Sequence, residues 1–219
     1  SSLYDQLEDV QYFEDELHAA VMAAEDAGTY VMVHVYVPEA IRRAIRAGVK
    51  SIEHGQLIDE PTMKLIAEKG VWLSMQPFIG EGNNHYTNPV QQAKHELVVQ
   101  GTDRAYQLAK KYGVKLAWGT DLLFSPANAR NQNLNIEKMT RWFSNFEILK
   151  MITHDNAELL ALSGRRNPYP GKLGVIEEGA LADLIVVDGN ALEDIKVLTD
   201  PGKNMLLIMK DGKIYKNDL

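Results

Sequence analysis

No cysteine occurs among the 219 residues of this sequence. The fold therefore has no disulfide and no thiolate to bind a metal, which fits a reducing compartment such as the cytoplasm. An excess of positive charge is also absent, since the chain has 23 Lys and Arg but 30 Asp and Glu, and its formal net charge is -7. This balance argues against nucleic acid as a partner, because binding to phosphate needs a basic surface.

Long apolar runs are absent as well, and no segment is long enough to span a bilayer, so we expect no membrane partner. No signal peptide is visible, although the chain opens Ser1-Ser2-Leu3 without Met, which suggests that an upstream segment has been removed. Hydrophobic residues make up 45% of the chain and charged residues 24%. These fractions are typical of a globular protein with one large domain, with or without a small appendage.

Three apolar runs each end at a residue of a type that binds metals. The runs at 30–34, 49–54 and 115–121 end at His34, His54 and Asp121. Each run is typical of a buried strand, and parallel strands that share a barrel present their C-terminal ends on one face. Two imidazoles and a carboxylate that converge there suit a divalent transition metal such as zinc.

Helical patterns alternate with these runs, and glycine follows several of them. Helices are predicted at 13–27, 38–47, 60–69, up to 112, and again from about 136 to 162, with a further strand at 71–75. Alternation of strand and helix with short turns predicts parallel βαβ units with right-handed crossovers.

The pattern changes after Gly164. Short apolar runs separated by Gly and Pro replace the helices, and Asp211-Gly212 stands between two of these runs, which is a strong signal for a β-hairpin. The sequence therefore predicts two segments, residues 1–163 with the barrel pattern and residues 164–219 as a small β module.

Several segments resemble the second half of the amidohydrolase superfamily, most closely its imidazolonepropionase-like and prolidase-like branch. They are 51–55 (Ser-Ile-Glu-His-Gly), 119–121 (Gly-Thr-Asp), 153–157 (Thr-His-Asp-Asn-Ala) and 174–188, in the family's order. The resemblance implies a (β/α)8 TIM-type barrel with a small β-sandwich. It also implies that His34 is the metal ligand on the fifth strand, His54 the ligand on the sixth and Asp121 the catalytic acid on the eighth.

The sequence departs from the family pattern at its start. Family members carry a His-x-His pair on the first strand, and many binuclear members add a carboxylated Lys on the fourth, but no His-x-His pair occurs here. The predicted fold class is therefore α/β, with the C-terminal half of a barrel (strands 5 to 8) in residues 1–163. Residues 164–219 are predicted to be the C-terminal part of the sandwich.

The function implied by the resemblance is hydrolysis of a C–N bond in an amide, a cyclic amide or a dipeptide of the Xaa-Pro type. One or two divalent ions, zinc foremost, would activate a water, and Asp121 would carry its proton to the leaving nitrogen. A deaminase on the same scaffold and a non-catalytic half-barrel that acts by association are the alternatives. Because several of the family's ligands are absent, we expect weak zinc binding and poor turnover by this chain alone.

Other side chains are candidates for contacts with a small-molecule substrate. They are Tyr36, which follows His34 by two residues, His85 in the polar loop after the third strand, and Arg130 as a partner for a substrate carboxylate. A solvated loop histidine and a solvated arginine are the alternative interpretations of the last two.

The metal-type residues have structural alternatives too. Both strand-end histidines could be hydrogen-bonded core residues, and the aspartate could cap a helix. Among the remaining histidines, His18 and His95 are interpreted as surface residues of helices and His154 as structural.

Four strands of an eight-stranded barrel leave two open edges with unpaired backbone groups. Apolar side chains such as Val31, Val33, Ile52, Leu73 or Leu116 would also lose their cover on one side of the sheet. We therefore expect a homo-oligomer, or pairing with the missing N-terminal half, rather than a monomer.

Overall fold

The computed structural model describes residues 3–80, 86–122 and 126–219. It is a mixed α/β structure that divides into two compact units, one of residues up to Gly119 together with Leu162–Arg166, the other of Thr120–Ala161 and Asn167–Leu219. The limit at Gly119 differs from the predicted boundary between residues 163 and 164. The predicted boundary rests on the change of sequence pattern after Gly164 and stays a prediction.

The first unit alternates helices with parallel strands. Its helices are α1 (Glu14–Asp26), α2 (Pro38–Ala47), α3 (Glu60–Lys69) and α4 (Pro89–Tyr112), and its strands are β1 (Met32–Val35), β2 (Ser51–His54), β3 (Trp72–Met75) and β4 (Leu116–Trp118). The strands form one parallel sheet in the order β1-β2-β3-β4. Spatial order follows chain order, as successive βαβ units require.

Local sequence signals set the helix ends of this unit. The side chain of Asp59 caps α3 by accepting a hydrogen bond of 2.9 Å from the backbone N–H of Thr62. Gly48, Gly70 and Gly113 follow α2, α3 and α4 with φ of 100°, 63° and 62°. These left-handed conformations cost glycine little, so the predicted glycine stops are confirmed.

The two faces of the parallel sheet differ near the strand ends, and we call the face that carries His34 and Glu53 the polar face and the opposite face the apolar face. Val33, Ile52, Leu73 and Leu116 stand side by side in the register on one face, and His34, Glu53, Ser74 and Ala117 on the other. Ile52 and Leu73 are fully buried, as is Ile41 of α2, which approaches them beside Gly55. Full burial of each such side chain contributes about 1.5–3 kcal/mol, which favours packing of the helices on the apolar face. The polar face is therefore the face available for chemistry.

The second unit contains short helices and an antiparallel sheet. The helices are α5 (Pro126–Ala129), α6 (Leu134–Lys138), α7 (Asn145–Lys150), α8 (Asn156–Ala161) and α9 (Pro201–Asn204), and the strands are β5 (Leu184–Val187), β6 (Met205–Lys210) and β7 (Lys213–Asn217). Short 3-10 turns lie at Met139–Arg141 and Ile195–Leu198, and a π-helical turn lies at Met151–Asp155. The helices predicted between about 136 and 162 are thus short pieces.

The sheet of the second unit has the order β5-β6-β7. Asp211 and Gly212 join β6 to β7 with φ of 51° and 72°. Positive φ at both central residues is typical of the two-residue turn that matches strand twist, and the predicted hairpin is confirmed.

Gly174 lies against the π-helical turn. A Cβ there would lie 2.7 Å from both the Cα of His154 and the backbone oxygen of Thr153. Only glycine permits this approach, so the tail is packed closely on the helical part of its own unit.

Among the described residues, no helix combines the length and the apolar character that crossing a membrane requires.

Candidate active site

The two predicted strand-end histidines meet on the polar face of the parallel sheet. His34 pairs with Glu53 in the register, and His54 pairs with Val35. Regular alternation along β2 would turn His54 to the apolar face with Ile52. Instead, His54 has a φ of 80°, and its ring centroid lies 4.4 Å from that of His34. A left-handed backbone at a non-glycine residue therefore brings the second imidazole to the first.

A third ring joins these two. Tyr36 stacks on His54 with a centroid distance of 4.9 Å and an interplanar angle of 23°, and it meets the edge of His34 at 5.1 Å. His54 is buried, Tyr36 is half-buried and His34 is exposed. The cluster is thus anchored inside the unit and opens to solvent at His34.

A side chain from the neighbouring strand holds the buried imidazole. The Nδ1 of His54 lies 2.7 Å from the Oε1 of Gln76, just after the end of β3, and both residues are buried. The same oxygen accepts a hydrogen bond of 3.4 Å from the Nε2 of Gln56. The sequence interpretation missed both glutamines. The available signal was the position of Gln76 directly after a strand that runs beside the strand of His54.

The Nδ1 of His54 thus faces Gln76, and the ring of His34 lies beside the ring of His54. Neutral imidazoles are standard ligands of zinc and related divalent ions, and the residues present therefore fit such an ion. The polar face also carries the carboxylate of Glu53, which pairs with His34 in the register and accepts a 2.6 Å hydrogen bond from the Oγ of Ser51. A negative charge one strand away from His34 favours a cation there.

The pKa of Tyr30, which lies just before β1, is shifted by its surroundings. Burial, and secondly the negative charge of Glu53, raise the pKa of the Tyr30 phenol above its ordinary value. The phenol is therefore neutral at physiological pH.

Two of the other predicted site residues, Asp121 and Arg130, belong to the second unit. Asp121 follows β4, belongs to the second unit, and is exposed with a φ of 53°. Arg130 follows α5 in the second unit and is exposed. His85 lies outside the described residues. The convergence of Asp121 with the two imidazoles stays a prediction.

One further group of metal-type side chains exists within the described part of the chain, formed by His154, Asp155 and Glu158. Lys150 already forms an ion pair with Asp155, and the Nδ1 of His154 lies 3.0 Å from the same carboxylate. An ammonium at this position opposes a second cation, so the group fits the structural interpretation of His154.

His95 differs from the interpretation as a surface residue. It is half-buried, with its ring centroid 5.5 Å from that of Tyr86 and 6.2 Å from that of Phe78. The burial of His95 could not be predicted from its place on a helix, because Phe78 and Tyr86 come from the segment after β3. His18 is exposed, as expected.

Parallel strands that end in polar side chains on one face, with helices covering the other face, define an α/β protein of the kind that builds active sites at strand ends. The chain matches the model of the amidohydrolase family over residues 5–215. It belongs to the amidohydrolase family, and the predicted resemblance is confirmed.

Several relatives point to one branch of this family. Ochratoxinase of Aspergillus niger is 32% identical over 210 residues, which cover 94% of this chain and 42% of that protein. A prolidase in complex with N-methylphosphonate-L-proline is 35% identical with a TM-score of 0.85, covering 97% of this chain and 51% of that one. A Xaa-Pro dipeptidase with methionine bound in its active site is 32% identical with a TM-score of 0.78, covering 94% and 50%. The chain is thus prolidase-like and spans about half the length of these relatives.

Proposed function

We propose that this chain is part of a metal-dependent hydrolase that cleaves the C–N bond of an amide, a cyclic amide or an Xaa-Pro-type dipeptide. The observation that carries the proposal is the contact between the rings of His34 and His54, at 4.4 Å, where two neighbouring parallel strands end. Membership of the amidohydrolase family supports the reaction class. The likeness to a prolidase and to an Xaa-Pro dipeptidase supports the dipeptide as substrate.

The proposed architecture follows from the same observations. In it, β1 to β4 are four successive strands of a TIM-type barrel, and β5 to β7 are part of a β-sandwich. The parallel sheet in chain order supports the first assignment and the antiparallel three-stranded sheet the second. In such a barrel the active site lies at the C-terminal ends of the strands, where both histidines stand.

The metal would be held by His34 and His54, with Asp121 as the proposed third ligand and zinc as the proposed ion. Once bound, it would supply an activated water and polarise the scissile carbonyl. Asp121 would accept the proton of that water and return it to the leaving nitrogen as the C–N bond breaks. A carboxylate suits both steps because it accepts and donates a proton at one position.

Substrate recognition is assigned to three side chains. Tyr36 presents a half-buried ring beside both imidazoles and would pack against the bound substrate. Arg130 would pair with a substrate carboxylate, since guanidinium groups bind carboxylates bidentately. His85 is the remaining proposed contact.

The first experiment measures metal binding. Zn²⁺ is titrated into the ¹⁵N-labelled chain while the imidazole nitrogens are followed by long-range ¹H–¹⁵N correlation. The signals of His34 and His54 should shift together in the parent chain and in the control His18→Ala, which removes an exposed helix histidine. Replacement of either strand-end histidine by Ala should abolish the shift of the other. Zinc that moves neither ring would contradict the proposed centre.

The second experiment measures turnover of Xaa-Pro dipeptides and cyclic amides with zinc present. We expect slow release of product by this chain, because a catalytic zinc site needs at least three well-placed protein ligands. The residual rate should vanish in Asp121→Asn and persist in Asp188→Asn, an exposed control in the same unit. A rate indifferent to Asp121→Asn would remove the catalytic role of Asp121, and release of ammonia would indicate a deaminase.

We also propose that this chain associates through the open edges of its parallel sheet. β1 and β4 are the edge strands of the parallel sheet, and Met32 of β1 is 51% exposed. Open edges pair readily with further strands, so we expect association with a second copy or with other strands of the barrel. Sedimentation that shows a monodisperse monomer at high concentration would contradict this expectation.

A further inference from the structure

Gln76 forms a buried polar pair with His54 and has no role of its own in the proposed chemistry. The Oε1 of Gln76 lies 2.7 Å from the Nδ1 of His54. His54 is 5% exposed and Gln76 is 4% exposed. A short hydrogen bond between two buried side chains restricts the orientation of the imidazole ring.

The pair also sets which nitrogen carries the proton. A carbonyl oxygen can only accept, so the Nδ1 that faces it must carry the hydrogen. The Nε2 of the neutral ring then keeps its lone pair, which is the form that a metal binds. We infer that Gln76 is a positioning residue that holds His54 as the Nδ1–H tautomer with Nε2 presented to the metal. This inference rests on the proposed function for the use of Nε2, but the tautomer itself does not depend on any metal.

A second layer holds Gln76. The Nε2 of Gln56 donates to the same Oε1 at 3.4 Å, and Gln56 is 1% exposed. The backbone of Gln56 is in turn pressed against α4, where a Cβ on Gly101 would lie 2.3 Å from its carbonyl oxygen. The tautomer is thus set by a chain of contacts from Gly101 through Gln56 and Gln76 to His54.

A rival arrangement is defined by the same atoms. The Oε1 of Gln56 is buried without a hydrogen-bond partner. If both amides were turned round, the amide nitrogen of Gln76 would donate to that oxygen and to the Nδ1 of His54. The proton of His54 would then lie on Nε2, and neither nitrogen would be open to a metal. The two arrangements therefore predict opposite tautomers.

The experiment reads the tautomer directly, without metal. Long-range ¹H–¹⁵N correlation of the labelled chain, at a pH where the imidazole is neutral, separates the protonated nitrogen from the unprotonated one. The His54 signals are assigned by their loss in His54→Gln. We expect the protonated signal at Nδ1, and a protonated Nε2 would overturn the inference.

Two variants and one control test the cause. In Gln76→Glu the ionised carboxylate is an acceptor that cannot donate, so Nδ1 of His54 should stay protonated. Gln76→Leu removes the acceptor, so the proton should redistribute toward Nε2. Gln107→Leu, an exposed glutamine of α4, should leave the spectrum of His54 unchanged. An unchanged tautomer in Gln76→Leu would overturn the positioning role. If that variant does not fold, loss of the Nδ1–H form in Gln76→Glu would overturn it equally.

A zinc titration separates this inference from the proposed function. Zinc binding should weaken by about 10- to 100-fold in Gln76→Leu, as for other residues that orient metal-binding histidines, and should stay close to the parent value in Gln76→Glu. An Nδ1–H tautomer in a chain that binds no zinc would sustain the inference and contradict the proposed function. If the parent chain binds zinc but carries the His54 proton on Nε2 in the apo form, the inference is contradicted and the proposed function is sustained.

Discussion

Replacing Gly101 with Ala tests how closely α4 approaches the loop that follows β2. A Cβ at this position would lie 2.3 Å from the backbone oxygen of Gln56 and 2.9 Å from its carbonyl carbon. Carbon and oxygen atoms in proteins normally stay about 3.3–3.6 Å apart even in close C–H···O contacts. The overlap is therefore about 1 Å, and it is with backbone, which cannot rotate away as a side chain can.

Two effects of opposite sign determine how much Gly101→Ala changes the free energy of unfolding. Alanine favours the helix over glycine by about 1 kcal/mol. Overpacking of a well-packed interior costs about 1–3 kcal/mol, and a clash with backbone places Gly101→Ala near the upper end. We expect a net loss of about 1–2 kcal/mol in the free energy of unfolding, although helix propensity alone predicts a gain.

Urea unfolding followed by circular dichroism measures this loss as a lower midpoint at unchanged slope. Gln100→Ala, an exposed neighbour in the same helix, should stay within about 0.5 kcal/mol of the parent chain. The imidazole signals of His54 should also move in Gly101→Ala, because Gln56 contacts Gln76 and Gln76 contacts His54. A chain stabilised by about 1 kcal/mol, with unmoved His54 signals, would show that α4 is not held at this distance.

Two further predictions concern the second unit and the surface of the first. Gly174→Ala should lose about 2–4 kcal/mol in the same unfolding assay, from a left-handed φ of 71° and from backbone contacts at 2.7 Å. Gly179→Ala, with a φ of 85° and no atom within 4 Å, should lose only about 1–2 kcal/mol, and equal losses would refute the close packing of Gly174. Hydrogen bonds from Lys111 and Tyr112 lower the pKa of Glu60 from 4.5 to about 2, so its stabilisation is present above pH 4.5 and is lost as the pH falls toward 2. Unfolding midpoints should therefore fall less steeply across this range in Glu60→Gln than in the parent chain, and parallel curves would contradict the lowered pKa.

Signals within a few residues were enough to predict much of the fold. The glycines at 48, 70 and 113 end helices because a left-handed residue stops the hydrogen-bond ladder, and this depends on the residue itself. Asp211-Gly212 forms its turn for the same reason. The apolar runs predicted strands, and their alternation with helices predicted a parallel sheet in chain order.

The candidate site was predictable only in part. The sequence predicted that His34 and His54 lie near the ends of two parallel strands, and β1 and β2 are neighbours in the sheet. It did not determine that His54 faces His34, because regular alternation places the two rings on opposite faces and only the φ of 80° reverses this.

The surroundings of the His54 ring depend on contacts between residues far apart in the sequence. Gln76 lies 22 residues from His54 in sequence, and it reaches Nδ1 only because β2 and β3 pair in one particular register. Gly101 allows α4 to approach the backbone of Gln56 because it has no side chain, and the need for glycine is seen only once the two elements are packed together. Turns and helix ends depend on neighbours along the chain, whereas the orientation and tautomer of a buried imidazole depend on atoms that folding brings from other elements.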